Sequence, residues 1–191
     1  MPLSNIINQV IELTARPDAR SKALIAVNAI IQDVCNNSDY PEDLIEVSIL
    51  APNPGSYTTT ISLALPDSPP VKKIEYVLAG GLPQTLIKPR NAVTSTGCSP
   101  ANTCYRAGSN LHINASAPID VIKLGYYQQV GWLAENSSHW LEDVAPQLLV
   151  FGTVAAVFRA TGDDASATEY EGQYRLARQQ FRRMRVDSEE V

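Results

Sequence analysis

Apolar residues recur at helical spacing at both ends of this chain and at a spacing of two through its middle, so the pattern alone divides it into three stretches. Near the N-terminus, Ile6, Ile7, Val10, Ile11 and Leu13 predict a helix over residues 4–15 with Ser4 as its cap. Arg16-Pro17-Asp18 ends it. Ala23, Leu24, Val27, Ile30, Ile31 and Val34 predict a second helix over 19–36, and the three-residue break makes the two an antiparallel helical hairpin.

From Leu44 the period falls to two. Residues 44–50 and 57–65 alternate on either side of Pro52-Asn53-Pro54-Gly55, which predicts a β-hairpin. Residues 73–78 make a third strand and 84–88 a fourth, with Gly80-Gly81 as a hairpin turn between them. The segment 91–102 is expected to be a polar loop. Residues 103–106 and 111–115 form a second hairpin around Ala107-Gly108-Ser109-Asn110, and 120–128 closes the set. Residues 137–143 predict a short amphipathic turn with Trp140 pointing inward.

Helical spacing then returns. Over 146–160, Leu148, Leu149, Phe151, Val154, Ala155, Val157 and Phe158 cover more than half of the wheel, so this helix should be buried on several sides. Gly162 stops it, and Asp163 and Asp164 are the cap candidates for a last helix running to about residue 185. That helix carries an apolar stripe of Tyr170, Tyr174, Ala177, Phe181 and Met184. Residues 186–191 are acidic and are expected to fray.

Neither helix pair can bury its apolar face alone. The expectation is therefore an α+β fold in which the N- and C-terminal helix pairs form a four-helix bundle with an inserted antiparallel β-sandwich or barrel-like domain. The corresponding boundaries are 1–41 for the N-terminal helical hairpin, 42–131 for the inserted β domain, and 132–191 for the C-terminal helices and tail.

Charge changes this picture in one place. The chain of 191 residues has a formal charge of −5, which argues against a nucleic-acid coat or a membrane-surface binder. Yet five of its fifteen Lys and Arg residues lie in the last predicted helix: Arg175, Arg178, Arg182, Arg183 and Arg185. Four of them, at 175, 178, 182 and 185, fall in one line beside the apolar stripe. Arginine offers a planar, bidentate donor suited to carboxylate and phosphate, so this face is the candidate partner interface. Its plainer reading is a solvated helix face with local ion pairs.

Other chemistry is sparse. No apolar run is long enough to span a bilayer, and the N-terminus lacks the basic region and cleavage site of a signal peptide, so synthesis in the cytosol is expected. Cys35, Cys98 and Cys104 make neither an even disulfide set nor a metal spacing, although Cys98 and Cys104 could meet across a loop. His112 and His139 have no second ligand at metal spacing. Glu42, Asp43 and Glu46 read as solvated acids at a strand start. Gly80-Gly81 lacks the rest of a nucleotide-binding fingerprint. Neither a catalytic constellation nor a cofactor or metal site is expected.

The order of features, however, is familiar. Arg16-Pro17-Asp18 after the opening helix, the hairpin Tyr105-Arg106-Ala107-Gly108-Ser109-Asn110-Leu111-His112-Ile113, Gly125-Tyr126-Tyr127 at a strand end, Ser138-His139-Trp140-Leu141 ahead of Pro146, and the apolar helix ending in Gly162-Asp163 resemble the head-to-tail adaptor (connector) proteins of tailed bacteriophages, most closely those of short-tailed phages. The resemblance covers most of the chain, but the 91–102 loop matches nothing in it. It implies a non-enzymatic structural protein of the virion neck, made in the host cytoplasm. Such adaptors form a ring, typically of twelve copies, under the portal protein and above the tail or nozzle proteins, and genomic DNA passes through without sequence-specific binding. No membrane is involved. The alternative is a cytosolic ligand- or nucleic-acid-binding module with an arginine-rich C-terminal helix, or an enzyme using His112 or Cys104.

Overall fold

Helical periodicity at the start of the chain becomes α1 (Leu3–Thr14) and α2 (Arg20–Asn36), joined by a 3-10 turn at Pro17–Ala19. The computed structural model describes residues 2–65, 68–92 and 100–189, with the backbone alone at 90 and 186–189. Ser4 does not cap α1. Pro2 holds the N-cap position without a side-chain bond, and the N–H groups of Leu3 and Ser4 donate to Ser137 O and Glu135 O, each at 2.9 Å. A loop more than a hundred residues away thus satisfies donors that a helix start leaves open. The same loop is held from α2: buried Asn28 accepts from Leu133 N at 2.7 Å through Oδ1 and donates to Leu133 O at 3.1 Å through Nδ2.

The chain divides into two units, Met1–Asn37 with Gly131–Val191 and Ser38–Val130. In the first, the C-terminal elements are α4 (Trp140–Val144), α5 (Pro146–Ala160) and α6 (Asp164–Glu189). α5 packs against α1, α2, α4 and α6, as its wide apolar face requires, and buries Leu148, Leu149, Val154 and Val157. Gly152 permits the close approach, since a Cβ there would stand 2.7 Å from Ile30 Cδ1 and 2.9 Å from Tyr174 Cδ2. Gly162, at φ +82°, ends the α5 segment, and Asp163 caps α6 by accepting from Ser166 N at 3.1 Å.

Three expectations for this unit are corrected. Of the expected stripe, Ala177 and Phe181 are buried, as is Ala167, but Met184 is 53% exposed at a cleft beside the end of α4 and the start of α5. Leu141 and Glu142, rather than Trp140, are the buried residues of α4, and Trp140 is half-buried under α6. The helical backbone of α6 continues to Glu189, so residues 186–189 do not leave the helix; 190–191 lie outside the described residues.

In the second unit the alternating pattern gives β1 (Leu44–Leu50), β2 (Ser56–Ser62), β3 (Val71–Ala79), β4 (Leu82–Pro83), β5 (Thr85–Leu86), a short helix α3 (Pro89–Ala92), β6 (Thr103–Ala107), β7 (Asn110–Ile119) and β8 (Val121–Gln128). Two open sheets result, ordered β1-β8-β3-β4 and β2-β7-β6-β5, mostly antiparallel and neither closed into a barrel. Both supply one hydrophobic core that includes Ile61, Val77, Leu111, Ile113, Ile122, Leu124 and Tyr126. The chain is thus mixed α+β.

The expected β1–β2 hairpin does not form, because the two strands belong to different sheets. Their connection instead runs beside the corner between β7 and β8: Ala51 N donates to Asp120 O at 2.9 Å, while Gly55 N donates to Ile119 O at 3.1 Å and to Asp120 Oδ1 at 3.0 Å. Turn chemistry marked the bend correctly, but each strand's partner lies near residue 120. The expected 84–88 strand is also broken. Gln84 turns the chain from β4, on β3, to β5, which pairs in parallel with β6, and its buried side chain donates to Leu82 O at 3.0 Å and Ala79 O at 3.3 Å. The β6–β7 hairpin and the turn at Gly80 and Gly81, with φ of +59° and +74°, form as expected. Within the 91–102 segment, Asn91 and Ala92 are helical and 93–99 lie outside the described residues, as does any pairing of Cys98 with Cys104.

Candidate functional site

The arginines of α6 share a helix but not an environment. Arg178 is fixed: its Nη2 stands 2.7 Å from Asp33 Oδ2 on α2, and its Nη1 is 3.5 Å from the Tyr174 hydroxyl. Burial raises the pKa of Tyr174, so the phenol stays neutral beneath that guanidinium. Arg185 is also turned inward. It lies over the rings of Trp140 and Phe181, 5.0 and 5.4 Å from their centroids, and these two rings stack on each other at 6.4 Å. Arg175, Arg182 and Arg183 are exposed.

Arg175 has a carboxylate nearby, Glu171 Oε2 at 3.8 Å, but Glu171 is held more closely by Arg159 of α5, at 2.7 Å through its other oxygen. A cleft of about 290 Å³ is lined by Arg175, Arg178, Gln179 and Arg182. Sequence spacing placed three of these four on one line; Gln179 was not singled out, though it lies one residue beyond Arg178 and faces the same cleft. Arg183 and Arg185 fall outside this lining.

A second cleft, of about 280 Å³, opens on the opposite flank of α6 between Val144, Ala145, Pro146, Gln147, Leu148, Ala177, Gln180, Phe181 and Met184. It borders Phe181, which anchors the last turns of the helix. Below it, α4 begins with a cap that sequence reading missed. His139 Nδ1 accepts from Leu141 N at 3.2 Å, and Glu142 returns the bond by accepting from His139 N at 2.7 Å. Histidine is uncommon at an N-cap, and the Glu142 three residues later was the one available signal. Glu142 is fully buried, and desolvation raises its carboxyl pKa against the lowering effect of that backbone bond.

Three further candidates lie in the β unit. Cys104 is buried in the β core, where desolvation pushes its thiol up to about 11 and keeps it protonated. His112 bonds Thr60 Oγ1 through Nδ1 at 2.9 Å and stacks on Tyr105 at 4.8 Å. Glu46 accepts from the Tyr76 hydroxyl, which raises the phenol's pKa, and the Tyr76 ring lies where a side chain on Gly125 would stand. No described helix is long and apolar enough to cross a membrane. Compared with protein-family models and with curated proteins, the chain matches none.

Proposed function

We propose that this chain is a head-to-tail adaptor of a short-tailed phage, a structural protein of the virion neck. In this reading the helices of both termini form a four-helix bundle that stands side by side with its copies in a ring, expected to number twelve, while the β unit is an insertion in that bundle. The ring sits beneath the portal protein, meets the tail or nozzle proteins below, and continues the DNA channel. The observation that carries the reading is α6: at 26 residues it spans about 39 Å against about 22 Å for the 15 residues of α5, and its last turns bear arginines on the surface. A helix that outruns its partner and carries exposed guanidinium groups suits docking against an acidic neighbour. The acidity of the rest of the chain suits a channel that lets DNA pass.

Negative-stain microscopy of the purified chain with portal-bearing heads tests this. Rings seated on the portal vertex are expected, and their loss in an Arg175→Gln, Arg182→Gln, Arg183→Gln variant that keeps its helical circular dichroism. Binding of the chain to DNA with a steep salt dependence, and none to heads, would support the nucleic-acid-binding alternative instead.

A further inference from the structure

The docking reading leaves open what chemistry the α6 surface recognises, and the cleft between Arg175 and Arg182 narrows it. Arg178 forms a wall whose charge is already balanced by Asp33 at 2.7 Å. Arg182 has no ion pair among the described residues, and Arg175 shares Glu171, at 3.8 Å, with the closer Arg159; the Cα atoms of Arg175 and Arg182 stand about 10.5 Å apart along the helix. Gln179 lies between them in the lining. Its amide both donates and accepts, which matches a peptide group; a phosphodiester only accepts. Two carboxylates stand beside these arginines, Asp33 at 2.7 Å from Arg178 and Glu171 at 3.8 Å from Arg175. A polyphosphate strand would bring charge beside both acids, whereas a ligand with two spaced charges meets Arg175 and Arg182 and leaves Arg178 to Asp33.

We infer that this cleft receives an extended acidic peptide segment of the docking partner, with carboxylates at alternate positions on Arg175 and Arg182 and a backbone peptide group on Gln179. Alternate side chains of an extended chain lie about 6.7 Å apart on one face, within reach of two long arginines spaced as these are. Arg183 takes no part, because one residue on from Arg182 turns it about 100° around the helix. Arg185 takes none either, being committed to Trp140 and Phe181.

Nuclear magnetic resonance titration of the full chain with the peptide Gly-Glu-Ser-Glu-Ser-Gly reads this directly, through the side-chain signals of Gln179 and the arginines. Saturable shifts are expected at Gln179, Arg175 and Arg182. Arg182→Gln or Arg175→Gln should weaken binding at least about tenfold, the loss of one charge-assisted hydrogen bond, and Gln179→Ala about threefold. Arg183→Gln should leave it within about twofold. All four side chains project from the helix surface, and circular dichroism confirms that each variant folds. Absence of shifts, an Arg183→Gln loss equal to that of Arg182→Gln, or a short DNA duplex binding as tightly as the peptide would overturn the inference. Because it rests on the docking reading, the two fail differently. Attachment to heads by a chain that ignores the peptide removes this inference alone, and peptide binding without attachment removes the docking reading alone.

Discussion

Replacing Phe181 with alanine should release the end of α6 without unfolding the β unit. Phe181 is only 2% exposed, stacks on Trp140 and lies under Arg185. Removing a buried phenylalanine costs about 3–5 kcal/mol when a closed cavity is left. Here the vacated space joins an open cleft, so part of the cavity cost is relieved and the transfer of the side chain dominates, at about 1.5–3 kcal/mol. Loss of the aromatic pair adds about 0.5–1.5 kcal/mol, and loss of the cation over the ring adds about 0.5–1 kcal/mol where it is exposed. These terms sum to about 2.5–5.5 kcal/mol, or a fall of at least about 10 °C in the melting of the helical unit, at about 4–8 °C per kcal/mol for a unit of its size. Because Phe181 is the last residue of α6 described as fully buried, much of the loss should appear as local opening. Amide hydrogen exchange should therefore accelerate over residues 178–189 far more than over 164–174. Uniform exchange along α6, or a destabilisation under about 1 kcal/mol, would refute the assignment of Phe181 as the anchor that presents the arginine cleft.

Two further outcomes follow from buried polar groups in the helical unit. Asn28→Ala leaves both the N–H and the C=O of Leu133 without their side-chain partner and should cost about 2–3 kcal/mol by urea unfolding, together with faster proteolysis of the 131–137 loop; unchanged proteolysis would show that Asn28 does not hold that loop. Glu142 has a folded-state pKa above that of the unfolded chain, so its contribution falls as pH rises from below the ordinary carboxylate range through the raised value. Glu142→Gln keeps the capping box while removing the charge, and should flatten that decline and raise stability at neutral pH; an unaltered pH profile would show that burial is not what tunes this carboxyl.

Much of this architecture is written locally. The bounds of α5 and β1 follow from the wheel of Leu148 to Phe158 and the alternation of Leu44 to Leu50, since each element states its own faces. What an alternating strand does not state is its partner. Pro52-Asn53-Pro54-Gly55 looks like a hairpin turn, yet Asp120, distant in sequence, accepts the bonds that fix it. The arginine line behaved likewise. Its spacing was legible, but Asp33 fixes Arg178 from across some 145 residues, and Trp140 takes Arg185, so neither commitment shows in the helix itself. Met184 fits the apolar period and is exposed at a cleft beside the end of α4 and the start of α5.

The pairing of β1 with β8, and the bonds from Leu3 and Ser4 to residues 135–137, also set an order of events during synthesis. The first strand has no ladder until the last has left the ribosome, and α1 has no cap until the loop after the β unit exists. Within the β unit the local hairpins β3–β4 and β6–β7 can form first and the sheets close once β8 is made, whereas the helical unit closes later, when α5 and α6 follow. Until then the apolar faces of α1 and α2 stay uncovered, and a chain released before α5 is made cannot bury them. Such a product should be lost to aggregation or degradation rather than persist as a smaller folded protein.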